Sequence, residues 1–283
     1  MMNSGLSFRE YERIRLIIED KCGLSLGADK AYLLESRLAG LLAEFGVTSF
    51  EELYLKIIRS DDQSIIEKVI DAVVTNETFW FRDKMPWIIF EDILLPAYVQ
   101  ELADGKRSKV RIWSAACSSG QEPYSIAMCI DRYLTRKGFS DISLSQFEIL
   151  ATDISGTIVQ MAASGRYDSI SITRGLSDEY RNMYFENFGR VWTILDRIKG
   201  AVHFRQFNLQ NDFYPLGKFD VVFLRNVLIY FSGKLKRDVT EKTSSVLEKG
   251  GVLFIGSSEL FTENNGRFAV EQYGESFYYK VKG

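Results

Sequence analysis

Histidine is nearly absent from this 283-residue chain, with His203 its single imidazole, and there are only three cysteines and four prolines. Each shortage excludes something. One imidazole and three scattered thiols (Cys22, Cys117 and Cys129) cannot build a closed tetrahedral zinc site, so no metal centre is expected. Catalysis of the Ser–His–Asp or Cys–His kind would hang on one residue with no local support. The thiols are odd in number and lack framework spacing, so each reads as a small buried hydrophobe in a reduced, cytoplasmic protein. No apolar run approaches the roughly 18–20 residues of a membrane span, so no membrane insertion is expected. The first helix-like stretch is charged (Arg9, Glu10, Glu12, Arg13, Arg15), unlike a signal peptide. Positive charge is not in excess: 35 Lys and Arg against 38 Asp and Glu give a net of −3, which argues against a protein that coats nucleic acid.

What is present is ordinary globular material, 46% hydrophobic and 26% charged, and long enough for one large domain or two. Residues 1–75 read as a helical domain of four short helices. Ser7-Phe8-Arg9-Glu10, Ser49-Phe50-Glu51-Glu52 and Ser64-Ile65-Ile66-Glu67 each fit an S-x-x-E capping box. Apolar residues follow at helical spacing: Phe8, Tyr11, Ile14 and Ile18; Leu34, Leu38, Leu41, Leu42 and Phe45; Leu53, Tyr54, Ile57 and Ile58; Ile66, Val69, Ile70 and Val73. Gly23 and Gly46 sit where left-handed caps would end the first two helices. This domain carries the acidity, with nine Lys and Arg against thirteen Asp and Glu; residues 76–283 hold 26 against 25.

The pattern changes after Thr75. A helix is expected from Pro86 to about Leu102, kinked at Pro96. Strand-like runs then fall at Val110–Ala116, Phe147–Asp153, Val202–Leu209, Phe219–Leu224, Val252–Gly256 and Ser276–Val281. Helix-like runs fall at Pro123–Thr135, Ser155–Ser164 and Lys234–Glu248. Such alternation predicts an α/β domain, a mostly parallel sheet covered by helices on both faces. The stretch 166–200 breaks the rhythm with a short helix (Ser177–Phe185) and a strand-like Val191–Leu195, and reads as an inserted subdomain.

Chemistry gathers at the strand ends. After the first strand, Ala115-Ala116-Cys117-Ser118-Ser119-Gly120 gives a turn of small residues before a helix that opens with Glu122-Pro123. Small side chains there let a ligand approach the backbone at the carboxyl edge of the sheet. The turn has no G-x-x-x-x-G-K-[ST] and no G-x-G-x-x-G, and Glu122 would repel a phosphate but attract a cation. Asp153 ends the second strand, where an acid takes ribose hydroxyls or caps the next helix. Asn208-Leu209 closes the third run. Arg225-Asn226 closes the fourth, an unusual pair to follow a continuous apolar strand. The polar-aromatic run Thr75–Arg82 precedes all of these.

These segments resemble the CheR-type chemotaxis receptor methyltransferases, a Rossmann-like class I fold preceded by a small all-α domain. Thr75-Asn76-Glu77-Thr78-Phe79-Trp80-Phe81-Arg82 is similar to that family's TNxTxFFR, Trp113–Ser125 to its WSAACSTGEEPYS, and Arg225–Phe231 to its RNVxIYF. Gly251 and Gly256-Ser257-Ser258-Glu259 resemble its late strand and turn. The resemblance covers nearly the whole chain. It implies transfer of a methyl group from S-adenosylmethionine to glutamate side chains of chemoreceptors, leaving S-adenosylhomocysteine. It places Asn76, Thr78, Arg82, Glu122, Asp153, Asn208, Leu209, Arg225 and Asn226 around the cofactor, with Asp153 on the ribose and Asn208-Leu209 by the adenine. Arg82 and Tyr230 would stand nearest the methyl group. Tyr230 would align a reactant, or serve only as a buried aromatic.

Such a reaction suits the composition. A glutamate carboxylate with a pKa near 4.3 is about 99% ionised or more at pH 7, so no general base is required. Arg82 suits orientation of that carboxylate by its planar fork. The chain departs from the family pattern at Gln121 and Trp80, where glutamate and phenylalanine are usual. Its second helix, Ala31–Phe45, offers only Arg37, with Lys30 just before it, where relatives that dock acidic receptor helices carry several arginines. Receptor cytoplasmic domains are the expected protein partner, with docking through 166–200 or the helical domain, and a monomer is expected. Two other functions remain: a non-catalytic relative that senses the cofactor, and a methyltransferase for nucleic acid or small molecules. The intact Arg82, Asp153 and Asn226 weigh against the first.

Overall fold

The computed structural model describes residues 5–259, 266–274 and 276–282. The helical part contains α1 (Phe8–Cys22), α2 (Ala31–Glu44), α3 (Phe50–Arg59) and α4 (Gln63–Val73). Its core joins Tyr11, Ile14 and Ile18 to Leu34, Leu38, Leu53 and Val69. The three expected capping boxes have three outcomes. At α1 the box is complete, since Ser7 accepts from the Glu10 N–H and Glu10 accepts from the Ser7 N–H. At α3 it is half formed: Ser49 accepts from the Glu52 N–H, but Glu52 accepts from the N–H of Thr48 instead. At α4 the expectation fails. Asp62 is the cap, accepting from the Ser64 N–H at 2.9 Å, and the helix starts at Gln63. A carboxylate two residues earlier answers the positive end of the helix dipole, which a serine hydroxyl does not.

A helical segment follows as α5 (Lys84–Ile89), a wide π turn (Phe90–Leu94) and α6 (Leu95–Ala103). Pro96 explains the π turn. It has no N–H for the carbonyl one turn back, and the Leu95 N–H reaches to Phe90 O instead.

The strands are β1 (Val110–Ala115), β2 (Phe147–Asp153), β3 (Arg166–Asp168), β4 (Phe185–Phe188), β5 (Val191–Ile194), β6 (Val202–Gln206), β7 (Phe219–Leu224), β8 (Leu247–Ile255), β9 (Phe268–Tyr273) and β10 (Ser276–Val281). The intervening helices are α7 (Gln121–Lys137), α8 (Gly156–Ser164), α9 (Ser169–Thr173), α10 (Asp178–Tyr184), α11 (Asp196–Lys199) and α12 (Gly233–Val246). Seven strands form one sheet in the order β6–β2–β1–β7–β8–β10–β9. The first five run parallel; β10 is antiparallel to both of its neighbours. Side chains alternate between the faces. Ile112, Val221 and Phe223 pack with Trp87, Phe90, Leu95, Ile126 and Ile130, while Trp113, Val222 and Leu224 pack with Val239 and Val246. Helices therefore cover both faces, as the alternation predicts. The insertion is a small subdomain of its own, an antiparallel sheet β3–β5–β4 with α9 and α10.

Strand β6 ends three residues earlier than expected, which leaves Phe207–Leu209 in the loop at the sheet edge, and β8 starts five residues earlier, at Leu247.

Candidate active site

The carboxyl ends of β1, β2 and β7 and the loop after β6 open onto one cavity, with about 1000 Å³ of empty space including its mouth. The segment Val74–Phe79 with Arg82 supplies another wall. Asn76, Thr78, Arg82, Glu122, Asp153, Asn208, Leu209, Arg225, Asn226 and Tyr230 all line it. Backbone conformation does much of the gathering. Among the described residues, the non-glycine positions with positive φ are Phe81, Asp83, Ala116, Ser118 and Asn226, at 49° to 60°. Each sits within two residues of a cavity-lining side chain. Left-handed backbone at residues with a Cβ is held by its surroundings, and such residues collect at functional sites.

Asp153 is buried at the end of β2. Its two oxygens accept one N–H each, from Ser118 at 2.8 Å and from Ser155 at 3.1 Å. Ser155 caps α8, so Asp153 is not the helix cap. Each carboxylate oxygen keeps lone-pair capacity for a further donor. Burial pushes the carboxyl pKa above the ordinary aspartate range, while the N–H donors of Ser155 and Ser118 pull the other way.

Arg225 is the most enclosed charge of the site, its side chain 1% exposed. Its guanidinium donates to Glu122 at 2.8 Å and to Asp83 at 2.9 Å, and to the Arg82 carbonyl at 2.5 Å. Its Nε has no hydrogen-bond partner among the described residues. Glu122 also accepts from the Ser114 hydroxyl at 2.8 Å. One cation and two carboxylates leave this partly buried cluster with one net negative charge beside the cavity. Asp83 is absent from the sequence-derived set; an acid following the aromatic run was its only visible signal. Glu259 is a second addition. It accepts from the N–H groups of Asn226 at 2.8 Å, Gly256 at 2.7 Å and Ile229 at 3.2 Å, and so fixes the Arg225-Asn226 turn. Gly256 is required there, because a Cβ would fall 2.5 Å from the Asn226 amide nitrogen.

The helical domain forms part of the wall through Cys22 and Leu24. Leu24 makes an antiparallel bridge with Phe231, and the Ser25 N–H donates to the Tyr230 carbonyl at 2.8 Å. Asn208 turns its side chain to this contact. Its amide donates to the Lys21 carbonyl at 2.8 Å, and its oxygen accepts from the Gln210 N–H. The buried Leu209 and Phe207 give the cavity an apolar side. Tyr230 packs its half-buried ring on the helical core, and its hydroxyl has no hydrogen-bond partner among the described residues. Arg37 also faces inward, donating to the Val73 and Val74 carbonyls and to Thr75 Oγ1, so its guanidinium ties α2 to the cavity-lining segment.

Arg82 differs from Arg225. Its guanidinium donates to the Glu77 carbonyl at 3.2 Å and stands over the Phe79 ring at 5.3 Å. Among the described residues it has no carboxylate within ion-pair distance. Burial pushes the Cys117 thiol well above its usual pKa and Cys22 up to about 11, so both cavity thiols stay protonated at neutral pH.

A buried acid with spare acceptors, an apolar flank and a net negative wall fit a cationic nucleoside at the switch point of the sheet. Fold and site together define an α/β methyltransferase of the S-adenosylmethionine-dependent class. The family model described as CheR methyltransferase, SAM binding domain, matches residues 76–277, and that of the CheR methyltransferase all-alpha domain matches residues 9–74. The Chemotaxis protein methyltransferase Cher2 of Pseudomonas putida is 40% identical over 274 residues, 96% of this chain and 98% of the relative. Chemotaxis protein methyltransferase 1 of Pseudomonas aeruginosa is 40% identical over 278 residues, again 96% and 98%. The Chemotaxis protein methyltransferase of Borreliella burgdorferi is 33% identical over 267 residues, 93% and 92%. The chain belongs to the CheR methyltransferase family, and its cofactor is S-adenosylmethionine.

Proposed function

We propose that this protein methylates glutamate side chains on the cytoplasmic domains of chemoreceptors, forming glutamyl methyl esters. The observation that carries the choice of acceptor is Arg82, a guanidinium with no carboxylate partner among the described residues, on the same cavity as the buried Asp153. S-adenosylmethionine supplies an activated methyl group on a sulfonium whose leaving group departs neutral. Asp153 would hold the ribose hydroxyls, with Leu209 and Phe207 flanking the adenine. Asn76, Thr78, Asn208 and Asn226 complete the polar wall. The Arg225–Glu122–Asp83 cluster, net negative, complements a positively charged cofactor.

On the acceptor side the task is positioning, which contributes several kcal/mol when two reactants are held in line. Arg82 orients the carboxylate by its fork, and a tighter grip would only stabilise the ground state. Tyr230, its hydroxyl unengaged among the described residues, aligns the reactants from the other side. No proton has to be moved, which accords with a site that contains no histidine. Residues 1–75 and 76–283 act as the receptor-facing and catalytic domains of a cytoplasmic monomer, with 166–200 as a further receptor contact. Among the described residues no helix is long and apolar enough to cross a membrane.

Incubation with methyl-labelled cofactor and receptor cytoplasmic fragments tests the reading. Label should leave the protein in strong base as methanol. Label that survives base would exclude a carboxyl ester.

A further inference from the structure

The position left open in the family's TNxT pattern is an acid in this chain, Glu77. It sits five residues before Arg82 and contacts it through its carbonyl at 3.2 Å. A carboxylate so close to a guanidinium that must receive a substrate carboxylate is a competitor for the same fork. The structure supplies an answer from outside the segment. Arg174, in the inserted subdomain between α9 and α10, donates to the Glu77 carboxylate at 2.6 Å. Its guanidinium lies 4.9 Å from the centre of the Phe79 ring, the ring over which Arg82 stands at 5.3 Å. One aromatic ring thus carries both arginines, with the Glu77 side chain bound to one and its main chain to the other.

The position of Arg174 is fixed independently of that ion pair. Its carbonyl accepts the Trp80 N–H at 3.1 Å, and the Trp80 ring nitrogen donates to the Ser171 carbonyl at 2.9 Å. Trp80 is fully buried, edge-on to Tyr167 and Phe185. Gly175 follows at φ +89°, and a Cβ there would fall 2.2 Å from the Trp80 carbonyl oxygen. The subdomain therefore delivers Arg174, on a backbone fixed by these contacts, to Glu77 and Phe79 of the cavity lining.

We infer that Arg174 is a positioning residue for methyl transfer: it sequesters the Glu77 carboxylate and so keeps the Arg82 guanidinium free for the acceptor. This inference rests on the proposed role of Arg82 toward a carboxylate acceptor. The pair Arg174–Glu77 is half-exposed, 51% and 61%, so its influence is screened and modest.

The test is steady-state kinetics on the full chain, with receptor fragment and cofactor varied separately. Arg174→Ala should raise KM for the receptor about two- to fivefold at low salt, the range of a surface ion pair. KM for the cofactor should stay unchanged. Adding Glu77→Gln to Arg174→Ala should restore the receptor KM, because no competing carboxylate remains. A purely structural role for Arg174 on the Phe79 ring would not be rescued by that second change, and absence of rescue overturns the inference. Arg82→Ala separates the two levels. If it leaves the receptor KM unaltered, the assigned role of Arg82 fails. If it raises that KM while Arg174→Ala does not, only the sequestration fails.

Discussion

Asp153 combines two demands that pull in opposite directions. Burial raises its pKa, and the proposed contact with the ribose needs its ionised form. A carboxyl group whose folded pKa lies above its unfolded value of 3.8 adds stability fully below that value, and loses it as pH rises through the folded pKa. At neutral pH its charge is thus a cost to the fold, offset by what it binds. Cofactor affinity should weaken on acidification at a pH above that of an ordinary aspartate, and Asp153→Asn should flatten the profile. The same substitution should cost about 1.5–3 kcal/mol of binding at pH 7, the scale of a hydrogen bond to a charged group. Titration calorimetry across the acid range checks both, and an Asp153→Asn profile as steep as the parent's would remove Asp153 from the ribose role. Arg225 shows what sequence reading finds at this scale and what it misses. The Arg225-Asn226 pair stands out after an apolar strand, but its partners lie 103 and 142 residues away. Ser118 and Glu259 act through backbone N–H groups and Asp83 through an ion pair with a residue far along the chain, and nothing in residue type announces those contacts.

At the level of elements, helix α4 gives the clearest discrimination. With Asp62 as its cap, Asp62→Ala should destabilise the protein by about 1 kcal/mol, whereas Ser64→Ala should fall within about 0.5 kcal/mol. Denaturant unfolding distinguishes them, and a larger loss at Ser64 would restore the S-x-x-E reading. The error has a simple source. Asp62 and Ser64 are both good cap residues, and the glutamate three places after Ser64 favoured the wrong one. Strands β2, β7 and β10 match their expected limits, β7 as a fully buried apolar run. Strand β9 is missing from the expectation; its short apolar run Phe268-Ala269-Val270 gives way to the polar Glu271-Gln272 within the strand. The short strands β3 and β4 pair only within the inserted subdomain, by contacts that local pattern does not encode.

For the whole molecule, helical and catalytic parts share one cavity. The carbonyls at the end of α1 receive the Asn208 and Gln210 amides, and Thr157 donates to Asp71 at 2.6 Å. Both parts should therefore unfold in one calorimetric transition. Saturation with S-adenosylhomocysteine at a hundredfold its Kd should add about 2.7 kcal/mol to that single step. Two transitions, with only one shifted by ligand, would show the parts to be energetically separate.

The Leu24–Phe231 bridge limits how this fold can be recombined. Exchange of receptor specificity between relatives invites a crossover near residue 75, where the helices end and the sheet domain begins. Such a graft would replace Lys21, Leu24 and Ser25 while keeping Asn208, Tyr230 and Phe231, and so set two unrelated halves of one cavity wall against each other. A working chimera has to carry the α1 terminus through Ser25 together with the loop that receives it.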